Sequence, residues 1–334
     1  MRRFSASGLI LALAILLPVV SLLSMTVGTV SISLGDLFAA DNSQVNTILF
    51  DIRLPRILLA ICVGAVLSST GAVMQGLFRN PLADPSLIGV SSGASVGASL
   101  MIVAAGGLIQ SGALLGLSLV AVGAFVGGFV ATLLVYRLAT SGIGTSVTTM
   151  LLAGIAIAAI AGALNSLLTY FSDNDMLRQI SLWQMGNLSG ASWTKVSIMA
   201  AVALLLLSLF PRDSHGLNAL LLGESEARHL GVDVQAVKRR LILLTALGVG
   251  VCVALAGLVG FVGLIIPHMV RLAIGPDHRW LIPASALAGA TLLVFADSLA
   301  RIVVVPAELP TGILTALLGA PFFVALLLQQ RKQV

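Results

Sequence analysis

Charge is scarce in this sequence. Of its 334 residues, 9% are Asp, Glu, Lys or Arg, against about 25% in an ordinary soluble domain. A water-facing shell cannot be built from so few ions, which excludes a conventional soluble fold. Cysteine is nearly absent as well. Cys62 and Cys252 each lie inside an apolar run, which argues against a disulfide framework or a metal centre and makes them small core residues. Only three lysines occur, Lys195, Lys238 and Lys332, and none follows a glycine. The GxxxxGK[ST] phosphate loop is therefore missing, so if ATP drives this protein another chain is expected to hydrolyse it. Histidine is confined to His215, His229, His268 and His278, with no HExxH or Cys/His spacing, so metal ligation and zinc-type hydrolysis find no ligand set. No Ser/His/Asp set is suggested either, which leaves a membrane enzyme without candidate residues.

What is abundant is apolar surface. Hydrophobic residues make up 58% of the chain, and 34 glycines accompany them, as expected where helices pack closely in lipid. The formal charge of +5 does not indicate nucleic acid, because the basic residues are scattered between the apolar runs, where membrane topology accounts for them.

Runs long enough to cross a bilayer, about 17 to 25 residues, are clear at 8–28, 56–78, 87–107, 113–136, 148–171, 281–300 and 311–328. A further run at 193–210 begins beside Lys195, which can snorkel to the interface. Thirty residues between Arg240 and Arg271 carry no Asp, Glu, Lys or Arg. As one helix they would extend about 45 Å, well beyond a hydrocarbon core of about 30 Å. A split near Ala256-Gly257 gives a full span and a shorter one ending at Pro267-His268. The expected fold is thus an all-α integral membrane protein of about ten helices, in a single permease domain over 1–334. The opening Met1-Arg2-Arg3 resembles a signal peptide, but no small-x-small cleavage site follows Leu22-Leu23-Ser24-Met25. The first apolar stretch is therefore expected to remain as a membrane helix.

Charge asymmetry tests the count. With ten spans and an internal N-terminus, thirteen Lys/Arg face the cytoplasm: Arg2, Arg3, Arg79, Arg137, Arg212, Arg228, Lys238, Arg239, Arg240, Arg271, Arg279, Arg331 and Lys332. Five remain outside: Arg53, Arg56, Arg178, Lys195 and Arg301. Treating 241–270 as one span reduces the ratio to ten against eight. The positive-inside bias favours ten spans with both termini cytoplasmic. The longest polar stretches then fall at 36–53 and 172–192 outside and 211–240 inside.

Ion-coupled transporters place acids or bases deep in the membrane. Here the acid within a span is Asp297, four residues before Arg301 and on the same helical face. The pair reads as structural, since a proton relay needs partners that are not available. The stretch Leu217 to Gly231 is different. Leu220, Glu224, Ala227 and Leu230 recur at helical spacing and Gly231 is a good terminator, which suits either docking onto a soluble partner or lying on the membrane surface. Gly93-x-x-x-Gly97 and Gly123-x-x-x-Gly127 offer close-packing faces that could serve a dimer.

Gly223-Glu224-x-x-Ala227-x-x-Leu230-Gly231 resembles the coupling segment of permeases in ABC importers for iron-siderophores, haem and vitamin B12 (FecCD-like, type II importers). Matching pieces run in order through nearly the whole chain. They include Ile52-Arg53-Leu54-Pro55-Arg56, Gly71-Ala72-Val73-Met74-Gln75, Asn80-Pro81-Leu82-Ala83-Asp84-Pro85 and Gly89-Val90-Ser91-Ser92-Gly93-Ala94. Gly260-Phe261-Val262-Gly263-Leu264-Ile265-Ile266-Pro267-His268 and Leu309-Pro310-Thr311-Gly312 complete the set. Together they resemble most nearly the haemin-importer permeases of Gram-negative bacteria.

The resemblance implies a type II, vitamin-B12-permease-like fold in the bacterial inner membrane, assembled as a homodimer. It implies two ATP-binding cassette subunits, which carry ATP and Mg, and a periplasmic substrate-binding protein, with no cofactor on this chain. Cytoplasmic helices around 216–231 would couple to the ATPase through Glu224, Ala227 and Leu230, with Gly223 and Gly231 setting the turns. Arg53, Arg56 and Arg301 match positions that pair with glutamates of the binding protein, a role that suits the bidentate guanidinium; interfacial anchoring is the plainer alternative. Asn80, Leu82, Val147 and Thr148 would narrow the cytoplasmic exit, or else be ordinary helix-end packing. Haem is the expected cargo, with ferric siderophore or cobalamin as alternatives and an ion-coupled secondary transporter as the rival from another class. The expected outer half holds no histidine, and Met74, Met176, Met185 and Tyr170 read as core or loop packing. Haem is therefore expected to pass without axial ligation.

Overall fold

The computed structural model describes residues 5–28, 30, 32, 43–105, 114–142 and 144–331, with the side chains of 114–117, 326, 327 and 329–331 excepted. Arg2, Arg3 and Lys332, counted above as cytoplasmic charges, lie outside the described residues, as do positions 36–42 of the polar stretch 36–53.

The chain is helical almost throughout, as lipid demands of a backbone with no water to bond. The helices are α1 (Ala6–Thr26), α2 (Leu54–Leu77), α3 (Val90–Ala104), α4 (Leu114–Ala139), α5 (Val147–Tyr170), α6 (Asn174–Gln184) and α7 (Trp193–Leu209). They continue with α8 (Ser214–Leu222), α9 (Glu224–His229), α10 (Val234–Ala256), α11 (Val262–Ile274), α12 (His278–Ala300) and α13 (Thr311–Arg331). A helical turn at Ser43–Asn46 and a π-helical stretch, Thr47–Arg53, lead directly into α2. Among the described residues, seven helical stretches are long and apolar enough to cross a membrane, and α3, α11 and the stretch Thr311–Ala325 of α13 are shorter apolar ones. Together they are the ten expected runs. The proposed break at Ala256-Gly257 is present: α10 stops at Ala256, and Gly257 follows with φ 69°. The shorter helix does not end at Pro267-His268. It starts only at Val262 and carries Pro267 internally, running on to Ile274. Two elements had no signal in the apolar pattern. One is α6, inside the polar stretch 172–192 and capped by Asp173, whose carboxylate accepts from the Met176 N–H at 2.8 Å. The other is a two-residue antiparallel ladder, β1 (Thr140–Ser141) with β2 (Gly144–Thr145).

Packing groups the chain into two compact units, 1–72 with 187–214 and 259–334, and 73–186 with 215–258. In the first, α12 packs against α1, α11 and α13. Its core is made of small side chains such as Ala65, Ala286 and Ala290. A Cβ on Gly71 would collide with the Gly263 carbonyl, and one on Gly64 with the Gly289 carbonyl. In the second unit, α3 and α4 share the most extensive contact. Gly93 faces the backbone of Gly127, and Gly97 that of Gly123. The two GxxxG motifs are therefore used against each other inside one chain, antiparallel, and are not free faces for a second copy. Asn165 Nδ2 on α5 donates to Ser95 Oγ on α3 at 3.0 Å, a polar tie between spans of the kind lipid favours.

Replacing Gly71 by valine is expected to cost about 1–3 kcal/mol or more through overpacking, read as a lowered melting temperature in detergent. Gly162→Ala, where nothing lies within 4 Å of the added carbon, is the matched control and is expected to leave the melt unchanged. Equal melts for both variants would contradict the close helix approach.

Candidate functional site

Two clusters bring together residues singled out by the sequence, one in each unit.

In the first unit, Arg56 on α2 sits 4% exposed and directs Nε to both oxygens of Asp297 on α12, at 3.0 and 2.9 Å. Its Nη1 donates to Glu308 Oε2 at 2.6 Å, and its buried Nη2 has no partner among the described residues. Thr311 Oγ1 donates to Asp297 Oδ1 at 3.0 Å. Arg301 approaches Asp297 Oδ2 only at 3.5 Å. It donates instead to the Val27 carbonyl at 3.1 Å and to Ser24 Oγ. Arg53 donates to the carbonyls of Met25 and Val30. The Asp297–Arg301 pair expected from i,i+4 spacing thus exists, but the nearer partner is Arg56, which sequence spacing could not reveal across 241 positions. Nor do Arg53, Arg56 and Arg301 stand free at a surface: all three are buried and satisfied largely from within. They share a small cavity with Glu308, Gly28, Val30, Ile48 and Ile52. Among the described residues, three guanidiniums there meet two carboxylates, Asp297 and Glu308, which leaves one positive charge in excess.

In the second unit, the segment 214–231 is two helices broken at Gly223, whose φ of 129° is open to glycine and strained for other residues. Gly231, at φ 82°, ends the second helix, and its N–H bonds the Arg228 carbonyl at 2.9 Å. The expected interface splits in two. Leu217, Leu220 and Ala227 are buried, Ala227 completely, so Ala227 holds α9 to its own chain. Glu224 is turned inward to Lys238 at 2.6 Å and has Arg228 at 3.7 Å. The large apolar side chains that face outward are Leu222 and Leu230, 66% and 64% exposed, beside the exposed Ser225, Glu226, Arg228 and His229. The periodic run Leu220, Glu224, Ala227, Leu230 does not lie on one helix, because Gly223 breaks it after Leu220 and Leu230 follows the last helical residue. The side that meets the rest of the chain could not be read from six residues.

The residues assigned to a narrow exit also lie in this unit. Asn80 and Thr148 are exposed, Leu82 and Val147 half-buried. Asn80 Oδ1 accepts from the Leu82 N–H at 2.9 Å, which shapes the turn. Asp84 caps the short 3-10 turn Pro85–Ile88. Burial pushes its carboxyl above the ordinary range, with the hydrogen bonds from Ser86 opposing. Gly154 on α5 lies against the Leu87 carbonyl, so α5 packs on this turn. Val147 opens α5, and the preceding Ser146 caps it by accepting from the Thr149 N–H. Of the side chains considered for haem, Met74 is wholly buried, while Tyr170 and Met185 are exposed.

Ten apolar helices among the described residues, several of them in close small-residue contact, with a pair of short helices between two spans, fit a polytopic membrane permease. The chain belongs to the FecCD transport family, whose sequence profile matches residues 16–329. It is 47% identical over 322 residues to the hemin transport system permease protein HmuU of Yersinia pestis, covering 96% of this chain and 95% of that one. It is 43% identical over 323 residues to the vitamin B12 import system permease protein BtuC of Escherichia coli O9:H4, covering 97% and 95%. Among solved structures, a metal-chelate type ABC transporter in an inward-facing conformation superposes with a TM-score of 0.86 at 35% identity, over 97% of this chain and 99% of that one.

Asp297→Asn is expected to destabilise the protein by about 3–5 kcal/mol, because it strands a buried guanidinium. Unfolding in a graded denaturing detergent measures this. A loss no larger than that from Arg301→Gln would mean that Arg56 is not the principal partner.

Proposed function

We propose that this chain is the membrane-spanning permease subunit of an ATP-driven importer that carries haem from periplasm to cytoplasm. The observation that carries the reading is the 47% identity, over nearly the full length, to a hemin transport permease. The 334 residues act as one permease domain, a reading supported by a family profile that runs from 16 to 329. Two copies pair, two ATP-binding cassette subunits supply hydrolysis with their own ATP and Mg, and a periplasmic binding protein delivers the cargo. The absence of any phosphate loop supports assigning hydrolysis to another chain. The charge bias supports an inner-membrane protein with both termini cytoplasmic.

Within that assembly, Leu222 and Leu230 form the contact with the ATPase, while Glu224, Ala227, Gly223 and Gly231 hold the helix that presents them. Asn80, Leu82, Val147 and Thr148 form the exit constriction. Arg53, Arg56 and Arg301 receive carboxylates of the binding protein. Among the described residues, the excess positive charge and the unused Arg56 Nη2 support this role, since a docking acid would complete the cluster. The rival ion-coupled mechanism is disfavoured because Asp297 already accepts from Arg56 and Thr311, leaving no free acid there to relay protons. Cobalamin is the second reading for cargo, on the strength of the 43% identical vitamin B12 permease; ferric siderophore remains within the family's range.

Uptake in proteoliposomes that hold this chain and its ATPase, with binding protein and ATP supplied, is expected for haemin and not for cobalamin or a ferric siderophore. Uptake of cobalamin alone would transfer the proposal to that cargo, and uptake driven by a proton gradient without ATP would overturn it. Arg53→Glu is expected to weaken binding-protein affinity about tenfold, or about 1.4 kcal/mol, in a surface-capture assay. Unchanged affinity would remove Arg53 from the docking surface.

A further inference from the structure

We infer that Lys238 is a positioning residue that links the helix at 224–229 to the start of α5, so that movement of the one resets the other. The inference rests on the coupling and gate roles proposed above, but its geometry stands apart from them. Lys238 lies on α10 and is 1% exposed. Its ammonium donates to Glu224 Oε1 at 2.6 Å and to the Thr145 carbonyl at 2.8 Å. Gln235, three residues earlier on the same helix face, accepts from the Thr145 N–H at 3.0 Å. Both backbone polar groups of Thr145 are therefore held by α10, and one of the two holders is shared with the first residue of α9.

Thr145 stands two residues before Val147, where α5 begins. Little slack separates the two. The ladder of β1 with β2 is closed by Thr140 Oγ1 against Thr145 Oγ1 at 3.0 Å and by the Ser146 N–H on the Ala139 carbonyl at 2.9 Å. Ser146 then caps α5 directly. At the other end, Gly223 separates α9 from α8, and Glu224 is the first residue of α9. A buried ammonium needs its counter-charge close by, so displacement of Glu224 by a partner draws on Lys238 and through it on Thr145. For purely static packing an apolar side chain of similar size would serve as well or better. The retained charge fits a joint whose two sides move together.

The test has two arms. In the first, the purified permease, with Cys62 and Cys252 replaced by serine, carries a nitroxide at Thr148→Cys or, as a control further along α5, at Gly162→Cys. Glu224→Ala and Lys238→Met are each expected to loosen the label at 148 and not that at 162, and Lys238→Arg to restore it. An unmoved label at 148, or equal loosening at 162, overturns the inference. The second arm uses the complete transporter in proteoliposomes with haemin. Lys238→Met is expected to lower uptake per ATP hydrolysed about tenfold while hydrolysis stays within about twofold, the scale of a coupling between sites. An unchanged ratio, or uptake and hydrolysis falling together, counts against it. Wild-type vesicles without ATP-dependent haemin uptake would defeat the proposed function, and the label at 148 would still decide the role of Lys238.

Discussion

A helix in lipid has no hydrophobic reason to prefer a neighbouring helix over an acyl chain. Association must come from dispersion at close range and from polar groups that find no partner in hydrocarbon. The packing follows this constraint. Where Gly64 meets Gly289, Gly71 meets Gly263, and the pair Gly93 and Gly97 meets Gly127 and Gly123, backbones approach to a distance that a single methyl group would forbid. Between those contacts, polar ties such as Asn165 to Ser95 fix which helix faces which. Large apolar side chains play the opposite part: Leu152, Ile155, Ile160 and Leu167 on α5 all point away from the chain's own core.

The same medium sets the terms for charge. An ion taken out of water, by lipid or by surrounding protein, is tolerated when it is paired and hydrogen-bonded, and the few ions available are gathered accordingly. Arg56, Asp297, Glu308 and Thr311 form one such group, Lys238 and Glu224 another. Neither group is made by neighbours in sequence; each joins separate helices, so each also fixes their relative register. The charge scarcity that first marked the chain as a membrane protein thus makes each remaining buried ion a fixed point of the structure.

Much of this was legible in the residues. Span positions followed from run length, and the break near Gly257 followed from a thirty-residue charge-free stretch too long for one crossing. The resemblance carried by the ordered motifs indicated the family. What could not be read was partnership in space. Periodicity placed Asp297 and Arg301 on one face, yet gave no hint that Arg56 lies nearer to Asp297. Lys238 entered only as a topological charge among its neighbours Arg239 and Arg240, although it is buried while those two are exposed. A six-residue helix is too short for its period to say which edge is inward, so Ala227 and Leu230 looked alike until the fold separated them. Two GxxxG motifs announce close packing but not with whom, and they prove to be each other's partners.

The short helix α11 has 13 residues, a rise of about 20 Å against a hydrocarbon thickness of about 30 Å. The chain therefore enters this crossing as irregular backbone, from Gly257 to Phe261. Such backbone survives at membrane depth only where protein or water shields it from lipid. Here part of the shielding is local: the Gly260 carbonyl accepts from Val262, and the Phe261 carbonyl from Leu264 and Ile265. Phe261 itself sits at φ 67°, a conformation that costs a non-glycine residue about 1–3 kcal/mol. The first third of this crossing thus behaves less like a membrane helix than like a re-entrant loop, presenting peptide groups where a full-length span would present apolar side chains.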